Sequence, residues 1–267
     1  MAEVITSGQN PKIKTLMALQ EKSRERRQKG LFVLEGRREL EHALEAGFVL
    51  DTVFVCPEIL SLTNETPLLK AFLKDKPDVI EVSNSVYSKI AYREGTEGII
   101  AEVVTPERTL ASLALPENPL VMVLESVEKP GNLGAVLRSA DAAGADAVII
   151  CDPLTDLFNP NLIRASIGAI FTVPVVTATS AEAIKYLKDR KIQILTAQLQ
   201  DSSLYYETDM RGGTALVMGT EATGLTPVWR MAADAHIRIP MLGRLDSLNV
   251  SVSAAILLYE AVRQRQK

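Results

Sequence analysis

The chain has 267 residues, 47% of them hydrophobic and 23% charged, with a formal net charge of −4. That length suggests one large domain or two of ordinary size, with enough apolar material for more than one core. No apolar run approaches the roughly 20 residues of a membrane helix, and MAEVITSGQNPKIK lacks the apolar stretch of a secretory signal. Cys56 and Cys151 each sit in an apolar run, which predicts buried free thiols in a reducing compartment and a cytoplasmic location by default. The charge is unevenly spread: residues 1–40 carry nine Lys/Arg against five Glu. A basic arm such as KSRERRQKG suits phosphates, and it equally suits a solvated helix face.

Helix and strand patterns alternate up to about residue 105. Pro11 to Lys29 reads as a helix with Ile13, Leu16, Met17 and Leu19 for burial. LFVLEG then reads as a strand, RRELEHALEAG as a helix closed by Gly47, and LDTVFVC as a strand. TPLLKAFLKD and SNSVYSKIAY read as helices, DVIEVS and GIIAEVV as strands. This is an α/β domain of residues 1–105. TPERTLASLALPENP, with three prolines, predicts a linker over 106–118.

The second domain, 119–267, opens with LVMVLESV, an apolar run typical of a strand covered on both faces. GNLGAVLRSADAAG reads as a helix ending at Gly144, DAVIIC as a strand, NLIRASIGAI as a helix and VPVV as a strand. AEAIKYLKDR is helical, and IQILTAQL, TALVMG and HIRIPM are strands. DSLNVSVSAAILLYE first alternates like a strand and then takes helical spacing from Val250. It reads as a loop and helix entry followed by a terminal helix. Such alternation predicts a parallel sheet with helices on both faces.

Three stretches carry candidate chemistry. In LESVEKPGNLGAVLRSADAAG, Gly131 and Gly134 do not make G-x-G-x-x-G, which argues against a dinucleotide enzyme. What remains is a loop at a helix start with Asn132 as a cap. Arg138 follows six residues on, either a surface residue or an oxyanion or phosphate ligand. LVMGTEATGL runs from a strand into Gly219, Glu221 and Gly224, at the strand end where parallel sheets bind ligands. The bland alternative is a tight turn with Glu221 as a helix N-terminal charge. In IPMLGRLDSLNVSVSAAI, Ser247 is placed to cap the helix, and Ser247 and Asn249 flank apolar Leu248. That mixture suits a pocket reading a polar edge on an apolar floor. His42 and His236 are far apart and neither cysteine adds ligand spacing, so no metal site is expected. No nucleophile elbow or P-loop occurs either.

The order NLGAVLRSADAAG, LVMGTEATGL, IPMLGRLDSLNVSVSAAI resembles the three motifs of the SpoU (TrmH-like) branch of the SPOUT RNA methyltransferases. NPNLIRASIGAIFTVPV is similar to that family's intermotif segment, and FVLEGRRELEHALEAGF to the L30e-like substrate-binding domain often found ahead of it. The resemblance implies S-adenosylmethionine-dependent 2′-O-methylation of a ribose in rRNA or tRNA, a homodimer, and a C-terminal trefoil knot, a topology very rare among folds. It implies that Arg138, Asn132, Glu221, Ser247 and Asn249 are catalytic. It also implies that Gly219, Ile239, Met241 and Leu248, with Thr196, line the cofactor pocket. Arg138 is either a base sharing its proton with an RNA phosphate or a permanently charged oxyanion ligand. The second suits a guanidinium, which is essentially always protonated. A non-catalytic RNA-binding or ribosome-assembly protein on the same fold is the competing class. It would retain RNA in a salt-dependent way without binding the cofactor.

Overall fold

The structure is a computed structural model that describes residues 4–60, 79–92, 97–220 and 222–266. The chain divides into two compact units, Met1–Pro106 with Leu157–Ile163, and Glu107–Asp156 with Arg164–Lys267.

The first unit holds a mixed five-stranded sheet ordered β1-β4-β3-β5-β2. Its strands are β1 (Val4–Ile5), β2 (Leu31–Glu35), β3 (Leu50–Val55), β4 (Val79–Val82) and β5 (Ile99–Val104). β5 runs antiparallel to both β2 and β3. Ile13, Leu16 and Leu19 of one helix pack with Val33, Phe54 and Ile100 of the sheet, as the i, i+3, i+6 spacing anticipates. The single helix expected over Pro11–Lys29 is two, Pro11–Glu21 and Ser23–Lys29, because Lys22 is extended. Arg26 explains the break: its buried Nη1 donates to the carbonyls of Leu19 (2.6 Å) and Gln20 (3.1 Å), which a continuous helix would occupy. Phe158, from the segment Leu157–Ile163, stacks on Phe32 at 4.3 Å between ring centroids. The helix expected over TPLLKAFLKD lies outside the described residues.

The second unit is built on an all-parallel seven-stranded sheet ordered β10-β12-β9-β11-β6-β7-β8. These are β6 (Leu120–Glu125), β7 (Ala147–Cys151), β8 (Val175–Ala178), β9 (Gln193–Ala197), β10 (Ser203–Leu204), β11 (Thr214–Met218) and β12 (Ala235–Arg238). Strand side chains alternate between faces. One set, including Val121, Val123, Ile149, Ala215 and Val217, packs under Tyr186 and Leu187 of helix Ser180–Asp189 and Trp229 of helix Pro227–Ala232. The other set faces helices Pro130–Ala142 and Val250–Arg265, which pack on each other. Central strands buried on both sides are why these runs read as uninterrupted apolar stretches. The α/β class with a parallel sheet covered on both faces is therefore as expected.

Helix Val250–Arg265 is fastened at its far end by Arg265, whose guanidinium donates to the carbonyls of Met210, Asn118, Pro119 and Gly212 at 2.6–3.1 Å. NLIRASIGAI, read as one helix, is two, Pro160–Ser166 and Ala169–Thr172. Ile167 (φ +52°) and Gly168 (φ +87°) adopt left-handed backbone and stop the first. The first of these passes so close to helix Pro130–Ala142 that a Cβ on Gly134 would sit 2.5 Å from the Ala165 Cβ.

Candidate active site

A cavity of about 680 Å³ opens at the C-terminal ends of β9, β11 and β12, within the size range of small-molecule sites. That edge is where parallel α/β sheets bind ligands, because successive connections diverge there and leave backbone groups unpaired. Three segments wall it: Ala197–Gln200 after β9, residues 218–220 and 222–225 after β11, and residues between Ile237 and Val250.

The second wall is shaped by its glycines. A Cβ on Gly219 would lie 2.2 Å from the Gly224 oxygen and 2.5 Å from the Leu225 nitrogen, so only glycine fits. Gly224 has φ +66°. Thr220 and Gly224 exchange backbone hydrogen bonds of 3.0 and 3.3 Å, and the Thr220 hydroxyl accepts from the Thr223 N–H at 3.0 Å. The loop is thus a closed clip. Glu221, within it, lies outside the described residues.

The third wall has no regular structure from Ile239 to Asn249. Asn249, not Ser247, caps the terminal helix: its Oδ1 accepts from the Ser251 N–H (2.9 Å) and hydroxyl (2.6 Å). Sequence reading places Ser247 there, but the helix starts at Val250, and the side-chain carbonyl of the Asn just before it satisfies the orphan N–H directly. Asn249 Nδ2 also donates to Asn132 Oδ1 at 3.1 Å, so the first and third stretches meet although 117 residues apart. Asn132 is not a cap as expected, since Pro130 already opens the helix and Asn132 lies inside its first turn.

Gly219, Ile239, Met241, Ser247, Leu248 and Asn249 all line the cavity. Asn132 is not among the lining residues but is hydrogen-bonded to Asn249, which is. Thr196 does not line it: the side chain is fully buried between strands and its hydroxyl is hydrogen-bonded to His236 Nδ1 at 2.6 Å. The lining begins one residue later, at Ala197. Arg138 is exposed on helix Pro130–Ala142 and is not among the lining residues. Sequence reading missed three charged residues at this cavity, Arg230, Arg238 and Asp246. Nothing in their local spacing marks them. Among the described residues no group of three or more His, Cys, Asp or Glu is placed to hold a metal ion, and no helix is long and apolar enough to cross a membrane. Cys56 and Cys151 are free and buried. Burial, then Asp152 and Glu125, push the Cys151 thiol far up, so it is no nucleophile.

Residues 119–259 match the SpoU rRNA Methylase family, and residues 10–101 match an MRM3-like substrate binding domain. A relative in Bacillus subtilis (strain 168), the 23S rRNA (guanosine(2553)-2′-O)-methyltransferase RlmP, is 30% identical over 96% of this chain and 97% of its own. A crystal structure of an RNA 2′-O ribose methyltransferase superposes with a TM-score of 0.82 at 40% identity, covering 99% of this chain and all of that one. An AdoMet-bound rRNA methyltransferase from Sinorhizobium meliloti superposes with a TM-score of 0.87 at 29% identity, covering 98% and 97%.

The cavity's chemistry suits S-adenosylmethionine. Leu199, Met218, Ile237, Ile239, Met241 and Leu248 offer apolar surface for an adenine ring, Asp246 a carboxylate for the ammonium and sulfonium, and Arg230 and Arg238 cations for the carboxylate. The glycine clip leaves room for a ligand to approach backbone atoms. The match of residues 119–259 covers more than half of the sequence and takes in every segment that walls this cavity, and on that ground the chain belongs to the SpoU rRNA methylase family.

Proposed function

We propose that this chain, an S-adenosylmethionine-dependent RNA ribose 2′-O-methyltransferase, acts in the cytoplasm as a homodimer on a guanosine of 23S rRNA. The observation that carries the reading is the strand-end cavity, walled by the second and third motifs and suited to the cofactor. The guanosine and the 23S rRNA come from what the relatives are named for. The division of labour is a substrate-binding domain over residues 1–105, a linker over 106–118, and a methyltransferase domain with the trefoil threading over 119–267.

The cofactor supplies a methyl group already activated on a sulfonium. The protein's part is then to hold the ribose in line and to stabilise charge on its oxygen. Arg138 takes that second role as a permanent cation facing the developing alkoxide. It does not line its own chain's cavity, so the reading has it delivered by the partner subunit. Leu242 (96% exposed) and Leu245 (77% exposed) beside the cavity support a protein-covered surface there. Asn132 and Asn249, joined by their hydrogen bond, orient the nucleotide together with Ser247, and Glu221 is assigned to the same set by its place in the second motif. On the first unit, Lys12, Lys14, Lys22, Arg24, Arg27 and Lys29 are exposed along the two first helices, a cationic face for RNA phosphates.

Methyl transfer from tritiated S-adenosylmethionine to a 23S rRNA transcript, with 2′-O-methyl mapping in cells with and without the gene, tests the reading. One guanosine should lose its mark. Salt-dependent retention of RNA without any cofactor binding by calorimetry would replace it with the non-catalytic alternative.

A further inference from the structure

A chain of hydrogen bonds, buried at Trp229 and part-buried at Thr226, ties the far end of the glycine clip to a strand a hundred residues earlier. Glu125, the last residue of β6, is 3% exposed. Its Oε2 accepts from the Thr226 N–H at 2.8 Å and its Oε1 from the Thr226 hydroxyl at 2.6 Å. Ser180 stands beside it, with its Oγ 3.3 Å from Glu125 Oε1. The Ser180 hydroxyl donates to Asp152 Oδ2 at 2.6 Å and accepts from the Trp229 indole N–H at 2.9 Å. Asp152 Oδ2 also accepts from the Ser180 N–H at 3.1 Å. Ser126 and Asp152, the residues that follow β6 and β7, both adopt left-handed backbone (φ +52° and +48°).

Two carboxylates therefore converge on one hydroxyl with no cation paired to either among the described residues. Asp152 is exposed, but Glu125 is buried, and burying a carboxylate is costly unless its hydrogen bonds are fixed. What they fix is Thr226. It directly follows Gly224 and Leu225, which line the cavity. The Thr220–Gly224 clip sets the shape of that wall but not its position. Strand β11 places its near end, and the Glu125–Thr226 pair places its far end.

We propose that Glu125 is a positioning residue for S-adenosylmethionine binding: through Thr226 it holds the Gly224–Leu225 wall against the cofactor. The proposal rests on reading the cavity as the cofactor site. Glu125→Gln keeps the size of the side chain but offers one acceptor where Thr226 presents two donors. Thr226→Val, at an exposed position, removes only the hydroxyl, and Thr226→Ser keeps it. In the full-length protein, the Kd and KM for S-adenosylmethionine should rise about tenfold or more in Glu125→Gln, the loss of a charge-assisted bond. The rise should be smaller in Thr226→Val and absent in Thr226→Ser. The kcat at saturating cofactor and the affinity for RNA should stay within about twofold of wild type, which a general loss of structure would not allow. Trp229, the sole tryptophan, should keep the emission of a buried indole in Thr226→Val. If Glu125→Gln does not fold, Thr226→Val decides. Wild-type protein that binds no cofactor would refute the cavity reading instead. Cofactor binding by Thr226→Val equal to wild type, or a matching fall in RNA affinity and kcat, would overturn the positioning role.

Discussion

Gly219→Ala is the sharpest single perturbation of the cofactor wall. The added Cβ would meet the Gly224 oxygen at 2.2 Å, its carbonyl carbon at 2.3 Å and the Leu225 nitrogen at 2.5 Å. All three are backbone atoms, so no rotamer relieves the contact, and real Cβ atoms essentially never approach within 3.0 Å. The wall must retreat by most of an ångström. The two backbone hydrogen bonds between Thr220 and Gly224 (3.0 and 3.3 Å) are the first to give way. At about 0.5–1.5 kcal/mol net for each bond, the loop loses about 1–3 kcal/mol of preorganisation. At about 1.4 kcal/mol per factor of ten, that weakens S-adenosylmethionine binding roughly 5- to 140-fold. Calorimetry reads the affinity and a thermal melt confirms the fold. Gly131→Ala is the control, since a Cβ there has nothing within 4 Å. Cofactor affinity in Gly219→Ala within twofold of wild type would refute the wall's role.

Arg138→Ala should lower methyl transfer about 10²- to 10³-fold, the scale of a lost oxyanion ligand, with cofactor affinity unchanged because the proposed role of Arg138 is toward the ribose oxygen and not toward the cofactor. Mixing it with Gly219→Ala should restore activity in hybrid dimers, and no recovery would sink the shared site. The combined Lys22→Ala, Arg24→Ala and Arg27→Ala variant should bind RNA more weakly and lower the log–log salt slope by about two, at about 0.7–0.9 per phosphate contact. A slope equal to wild type would remove that face from the RNA interface. Glu102, buried in β5 with Oε1 unpaired, has its carboxyl pushed up to about 7, first by burial and then by Asp51. A raised carboxylate pKa gives stability that is intact below the unfolded value near 4.5 and lost as pH rises through 7. Glu102→Gln should therefore be neutral near pH 4 and stabilising by on the order of 2–3 kcal/mol at pH 8. Melting curves across that range check it, and a gain at low pH would contradict the sign.

The long elements were legible because their patterns are local. Apolar runs such as Leu120–Glu125 and Thr214–Met218 are strands covered on both faces, and the second and third motif stretches line the strand-end cavity. The two-residue strands β1 and β10 were not legible, since their existence depends on pairing with β4 and β12 rather than on any run of their own. Helix Pro227–Ala232 also escaped notice, being six residues long and held by Trp229 in the core. Both helices that proved broken, at Lys22 and at Ile167–Gly168, were interrupted by backbone conformation that apolar spacing does not register.

What the sequence by itself determined is the chemistry each segment brings: the glycines of the second wall, the Ser-Leu-Asn run of the third, and the strand and helix periods that put them at sheet edges. These follow from covalent neighbours and from propensities within a few residues. Only the tertiary structure decided which of those groups meet. It turned Thr196 toward His236 and away from the cavity, and it joined Asn132 to Asn249. It also brought Arg230, Arg238 and Asp246 to the cavity, and set Glu125 under Thr226 across 101 residues. The reason is that a parallel sheet orders its strands by crossovers, so neighbours in space come from distant parts of the chain and leave no mark in local spacing.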